Sequence, residues 1–172
     1  MTDYSPIFRS PILVPDQSSP EESQITGLTL ADLSGVSITL IQGEAKEALQ
    51  KQSGRLPEQP GQAVPLGEGL LACLTPTEFY LFDTSLPANL PAAVNLDEDL
   101  AQASPSAHAT DLTHGKAVLR LMGHSAAELL SKICGLACYD AKFPNLHVAQ
   151  TSAAKIKTLI ARYDAGDMPV YY

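Results

Sequence analysis

The run DLTHGKAVLRLMGHSAAELLSKICG, from Asp111 to Gly135, decides the fold. Within it KAVLRLM alternates. Ala117, Leu119 and Leu121 point one way and Lys116 and Arg120 the other, the period of a half-buried strand. Ser125 stands three residues before Glu128, the spacing of a capping box, and predicts a helix start. Leu129, Leu130 and Ile133 are the expected buried stripe of that helix, and Gly135 its expected stop.

An earlier run, DLSGVSITLIQGEAKEALQKQSG from Asp32 to Gly54, has the same order of features. VSITLIQ is rich in β-branched residues and reads as a strand. EAKEALQKQS places Ala45, Ala48 and Leu49 on one helical face, with Gly54 at its end. The later copy carries one extra residue, and strand faces agree best if it falls after the strand, pairing Ile38 with Ala117 and Leu40 with Leu119.

The likeness extends outward. ITGLTLADL reads as a strand before the first unit. RLPEQPGQ is a proline loop echoed by KFPNLH. GLLACLTPTEFYLFD reads as two strands with a turn at Thr75–Glu78. VAQTSAAKIKTLIARYD echoes its first strand, and MPVYY echoes TEFYLF. A short helix is expected near Leu96–Gln102. The expected class is therefore α+β, with two similar strand-helix-strand-strand lobes. Residues 1–24 form an extended or partly disordered arm, 25–106 the first lobe and linker, and 107–172 a second lobe that lacks a terminal helix. That lack would leave an apolar sheet face uncovered near Val170, Tyr171 and Tyr172, which marks a partner surface. Ile7, Phe8 and Leu13 in the arm are apolar enough to lie on this domain or on another chain.

The 172 residues carry a net charge of −8 with dispersed positive charges, which argues against nucleic-acid binding. No run approaches the roughly 18 apolar residues that a membrane helix needs. The first residues lack a signal-peptide pattern, so a cytoplasmic location is the expectation. Three cysteines, Cys73, Cys134 and Cys138, are an odd number for a disulfide framework and read as small buried hydrophobes.

Chemistry-bearing motifs are sparse. There is no phosphate-binding or dinucleotide-binding glycine pattern and no nucleophile elbow. Asp111, Thr113 and His114 are close enough in sequence for an acid–base group, with a turn-capping Asp111 as the alternative. His108, His124 and His147 lack metal-ligand spacing. Lys155, Lys157 and Arg162 offer an anion site or a solvated face. Arg120, between apolar neighbours, is a candidate for pairing across an interface, with a plain solvent-side residue as the alternative. No convergent catalytic, cofactor-binding or metal-binding set emerges.

The run DLTHGKAVLRLMGHSAAELLSKIC followed by FPNLHVAQTSAAKIKTLIARYD resembles the gamma subunit family of heterotetrameric sarcosine oxidase. That family belongs with the folate-binding domain of the glycine-cleavage T-protein, aminomethyltransferase. The resembling features are Asp-Leu-Thr-His-Gly before a strand, Leu-x-Leu-x-Gly, Phe-Pro, and Ala-Gln-Thr opening a strand that ends in Arg-x-Asp. RLPEQPG and LLACLTPTEFYLF fit as well. The resemblance implies a folate-binding-domain-like fold and a non-catalytic accessory role beside larger flavin-bearing subunits. Flavin and tetrahydrofolate would belong to those partners, and this chain would bind no cofactor. It departs from the transferase pattern in TSAAKIKTLIARYD, which has no acidic residue before Asp164 where a folate-side carboxylate is expected. A stand-alone tetrahydrofolate-binding aminomethyltransferase-like protein, or a homo-oligomer of this chain, are the alternatives. The expected partner contacts are Ile7, Phe8, Leu13, Arg120, Tyr171 and Tyr172.

Overall fold

The structure, a computed structural model, describes residues 22–25, 27–33, 35–67, 69–83 and 96–172. Ile7, Phe8 and Leu13 lie outside the described residues. The chain runs through β1 (Glu22–Ile25), β2 (Leu28–Asp32), β3 (Ile38–Gln42), α1 (Lys46–Ser53), β4 (Ala63–Leu66), β5 (Gly69–Thr75) and β6 (Glu78–Asp83). It continues with α2 (Leu96–Ala103), β7 (His108–Asp111), a 3-10 turn (Thr113–Gly115) and β8 (Leu119–Met122). α3 (Ala126–Ile133), β9 (Val148–Ala153), β10 (Ile156–Ala161) and β11 (Val170–Tyr171) follow. The class is α+β.

One antiparallel sheet has the order β4-β5-β6-β3-β7. A second has the order β1-β2-β8-β11, and the β9-β10 hairpin joins its end. Ala161 and Tyr172 exchange both backbone hydrogen bonds, at 2.9 and 2.8 Å, and Tyr163 N donates to Val170 O at 3.0 Å. The apolar run GLLACL explains the layering, because a strand covered on both faces must be apolar at every position. From β5, Leu71 and Cys73 pack with Ala45, Ala48 and Leu49 of α1 and Leu100 of α2. Leu70 and Ala72 pack the other way, with Val148 of β9 and Ala161 of β10. Beyond the second sheet, Ala126 and Leu130 of α3 cover Leu121, Ile160 and Tyr171. The layers are thus helices, sheet, sheet, helix.

Backbone hydrogen bonds occur in matched pairs across the two sheets. Leu33 N donates to Val118 O, and Leu112 N to Ile38 O, both at 2.8 Å. Gly43 N donates to Thr77 O at 2.9 Å, and Gly123 N to Pro169 O at 3.0 Å. At the junction Ala63 N donates to Leu146 O (2.8 Å) and Val148 N to Gly61 O (2.9 Å), while Gln62 and His147 bridge each other. These pairs set Ile38 opposite Val118 in the internal correspondence, not Ala117. The extra residue therefore precedes the strand, and Gly43 corresponds to Gly123.

The leading strands are exchanged. β2, which leads into β3, pairs with β8, whereas β7, which leads into β8, pairs with β3. A division at 106/107 therefore does not separate two self-contained sheets. The five-stranded sheet takes β7 from the second half of the chain, and the four-stranded sheet takes β1 and β2 from the first.

Several local expectations change. ITGLTLADL holds the expected strand as β2, joined through Gly27 to β1 as a hairpin, and VAQTSAAKIKTLIARYD is a hairpin turning at Ala154–Lys155. Both Ala154 (φ 48°) and Lys155 (φ 70°) are left-handed, the geometry of a tight hairpin turn that usually selects Asn and Gly. Ser125 makes no side-chain cap, and Glu128 accepts from Lys132 instead, at 2.8 Å. The helix ends at Ile133, because Cys134 becomes extended and bridges Ala153. In α3 the buried face is Ala126 and Leu130, whereas Leu129 and Ile133 are 38% and 45% exposed. Leu119 and Ala117 are also exposed, since α3 reaches over β8 only at Leu121.

The expected uncovered face at the final strand is not observed. Val170 and Tyr171 are buried and Tyr172 is half-buried. β11 lies between β8 and the end of β10, and α3 covers it on the Tyr171 side. On the opposite side Tyr172 lies 6.1 Å from Phe82, ring to ring.

Candidate functional site

The densest polar constellation surrounds Arg162, where β10 leaves the sheet. Arg162 is 4% exposed. Its Nε and Nη2 donate to the two carboxylate oxygens of Asp164, each at 2.8 Å. Nη1 donates to Asp140 Oδ1 at 2.5 Å and to Phe143 O at 3.0 Å. The Tyr171 ring lies 5.5 Å away, facing the cation. A forked carboxylate pairing of this kind is among the strongest side-chain interactions and offsets the cost of burying the charge. Those hydrogen bonds, Asp164 first, hold the guanidinium pKa above its ordinary value.

The surrounding chain holds this cluster rigid. Asn145 Oδ1 accepts from Leu146 N (2.8 Å) and Asp164 N (3.0 Å). That support lets Leu146 take φ 62°. The Tyr171 hydroxyl donates to Cys138 O at 2.7 Å, and burial pushes the phenol pKa up to about 12. The position matching Arg162 in the other sheet is Cys73, opposite Phe79 rather than a tyrosine. One half thus fills this place with apolar side chains, and the other with an internal ion pair. Arg162 is spent on its own chain, apart from the exposed Lys155 and Lys157, so the three do not form an anion site.

Asp111 and Thr113 form a hydrogen-bonded turn. Asp111 Oδ1 accepts from Thr113 N at 2.8 Å, while buried Thr113 Oγ1 accepts from Ile38 N at 3.1 Å. Thr113 thus ties the turn to β3. We expect Thr113→Val to cost about 1–3 kcal/mol by orphaning that buried N–H, read from urea unfolding. The Asp111 carboxyl is held below its ordinary value, first by the Thr113 hydroxyl and then by its N–H. Its stabilisation is therefore present above the ordinary carboxylate range and fades as pH falls through the depressed value. Thr113→Val should flatten that part of the acid limb.

Among the described residues, no cluster of three or more His, Cys, Asp or Glu is placed to hold a metal. At the junction of the sheets, Arg55, Glu58, Gln62, Asn145 and His147 line a cleft of about 190 Å³. Ligand pockets usually occupy roughly 300–1,000 Å³, so this cleft is small beside them. Arg120 is half-buried in β8 opposite Ala31. Tyr171 serves the Arg162 cluster, and Tyr172 packs between the sheets. Among the described residues, Arg120, Tyr171 and Tyr172 thus have different surroundings.

Exposed apolar side chains lie elsewhere. Leu129 and Ile133 lie one turn apart on α3, and Ile133 O accepts from Ala154 N at 2.8 Å. Ile156, 69% exposed, is opposite Ala153 and on the α3-facing side of β10, two and four residues before Thr158 and Ile160. Exposed apolar side chains thus stand at the end of α3 and at the start of β10, which the Ala154–Ile133 hydrogen bond holds near each other, with exposed Lys155 in the turn between β9 and β10. The signal was present in the sequence. The apolar residues of AAELLSKI span an arc of about 160°, wider than the roughly 100° that one packed face requires.

Layer order, exchanged strands and matched pairing define the architecture well enough to compare it. The fold is that of a chain of heterotetrameric sarcosine oxidase. One similar structure is the enzyme from Corynebacterium sp. U-96 in complex with pyrrole 2-carboxylate. The TM-score is 0.66 at 23% identity, over 84% of this chain and 74% of the sarcosine oxidase chain. No protein-family profile matches this chain, and no curated protein does. At that identity, the likeness to sarcosine oxidase is one of fold.

Proposed function

We propose that this chain is a gamma-like accessory subunit of a sarcosine-oxidase-like hetero-oligomer. It performs no chemistry of its own. Larger partner chains hold flavin and tetrahydrofolate, oxidise the amine and pass on the one-carbon unit. The observation that carries this reading is the fold likeness to a chain of a heterotetramer across 84% of the sequence. The matched hydrogen bonds support two equivalent lobes of the T-protein folate-binding type, with each lobe's leading strand lent to the other. The closed Arg162 cluster supports a scaffolding role, because its polar groups answer one another rather than a ligand.

The exposed apolar group of Leu129, Ile133 and Ile156 is the contact that a larger subunit covers. Such a partner presents an apolar face with an acidic border toward Lys155. Replacing all three apolar residues with serine should reduce capture of flavin-bearing partners at least tenfold. It should lower urea stability only modestly, by about 1–3 kcal/mol in total, because Ile156 is 69% exposed and Leu129 and Ile133 are only partly covered. Unaltered capture would remove this group as the contact. Calorimetric binding of tetrahydrofolate to the isolated chain would overturn the accessory reading in favour of a transferase.

A further inference from the structure

We infer that the cleft where the two sheets meet binds a short aliphatic monocarboxylate, with Arg55 as its cationic partner and the Gln62 and Asn145 amides as its neutral donors. Both amides belong to residues that line the cleft, one from each half of the chain. Backbone N–H groups fix which way round each amide lies, because only its oxygen can accept from them. Gln62 Oε1 accepts from Glu58 N at 3.2 Å. Asn145 Oδ1 accepts from Leu146 N at 2.8 Å and from Asp164 N at 3.0 Å. Each amide nitrogen is therefore left as a free donor, and among the described residues neither has an acceptor. The two walls are tied to each other by backbone, through Ala63 N to Leu146 O at 2.8 Å and Val148 N to Gly61 O at 2.9 Å. The fold thus orients both donors before any ligand arrives.

Charge and size narrow the ligand. Arg55 and Glu58 line the same cleft, both are exposed, and among the described residues neither makes an ion pair. A guanidinium without a carboxylate partner, beside two open amide donors, is a donor set for one carboxylate. Glu58 sets the limit at one. Its own negative charge offsets that of Arg55, so a second anionic group on the ligand has no cation to answer it. Buried Pro57, Ala63 and Val64 supply apolar lining that suits a short alkyl group. The volume of about 190 Å³ restricts that group to a few carbons. A free acid and the C-terminus of a peptide present this same chemistry, and the test separates them.

The test is an NMR titration of the isotope-labelled full chain, read at the side-chain N–H groups of Arg55, Gln62 and Asn145. Sodium butyrate replaces sodium chloride at constant ionic strength. We expect saturable shifts at all three residues, with a dissociation constant on the order of 1 mM, the strength that a few well-placed atoms supply. Butanamide, which has the same shape without the charge, should leave them unmoved. Arg55→Gln should weaken butyrate binding about tenfold or more. Glu58→Gln should tighten it about twofold to fivefold by removing the competing carboxylate. Both side chains are exposed, so each variant should keep the folded spectrum. N-acetyl-alanylvaline, a capped peptide with a free C-terminus, assigns the source. Binding tighter than butyrate assigns a chain end, and weaker binding or none assigns a free acid. Shifts that grow linearly without saturating overturn the inference. So do equal shifts with butanamide, unchanged butyrate affinity in Arg55→Gln, or weaker binding in Glu58→Gln.

Discussion

Gly123→Ala lowers stability by about 3 kcal/mol or more, and Gly43→Ala does the same. A Cβ on Gly123 would lie 2.1 Å from Gly27 O, and one on Gly43 would lie 2.0 Å from Ser106 O. Both obstacles are backbone, so no side-chain rotation relieves them. Each glycine also has a positive φ, 140° and 92° respectively, which adds strain for any residue with a Cβ. The two contacts are one feature used twice. Gly27 precedes β2 and Ser106 precedes β7, the strands that each sheet takes from the other half of the chain. The close approach therefore seats the exchanged strand. Gly67→Ala is the control. Its φ is 59°, but a Cβ there meets open space, so the loss should be only about 1–2 kcal/mol. Urea unfolding of the three variants decides the matter. If Gly123→Ala and Gly67→Ala lose the same stability, close approach plays no part.

Arg162→Ala is the other large loss, about 3–5 kcal/mol. Removing the guanidinium strands the Asp164 carboxylate, whose side chain is only 12% exposed, away from bulk water. It also takes the cation from the Tyr171 ring and the donor from Phe143 O. Asp140 should matter less, since its side chain is 85% exposed and water replaces the lost partner. Arg162→Lys should fall between wild type and alanine, because it keeps the charge but cannot make the fork to both Asp164 oxygens. Unfolding of Arg162→Ala, Arg162→Lys and Asp140→Ala should rank the losses in that order. An Asp140→Ala loss as large as that of Arg162→Ala would contradict the assignment of Asp164 as the principal partner.

Some of this architecture is readable in the sequence. Ala45, Ala48 and Leu49 mark the inner face of α1, and Gly54 ends it at φ 66°. The turn between β5 and β6 and the short α2 are likewise legible, because proline, turn chemistry and helical spacing act locally. The hairpin at Ala154–Lys155 is not, because neither residue advertises a left-handed turn and no glycine or asparagine marks it. The register of the internal repeat misleads as well. Alternation along β8 favours Ala117 as a core position, whereas the pairing of Leu33 with Val118 places the extra residue earlier. The strand exchange is invisible for a deeper reason. It depends on which distant strand fits beside β3 and β8, and nothing within either segment records that choice.

The site follows the same division. Arg162 and Asp164 are visible as a spacing, but their burial depends on the distant Asp140–Asn145 segment and on Tyr171. Leu129 and Ile133 read as core because helical spacing identifies an apolar stripe without saying how much of it a neighbour covers. Tyr171 reads as exposed only until β11 is seen inserted between β8 and β10.

Affinity capture of the tagged full chain from its native cells, read by eluate mass and flavin absorbance, tests the accessory role most directly. The account predicts larger flavin-bearing chains in fixed stoichiometry, sarcosine oxidation in the eluate, and loss of both when Leu129, Ile133 and Ile156 are replaced with serine. A colourless eluate containing only this chain would contradict it.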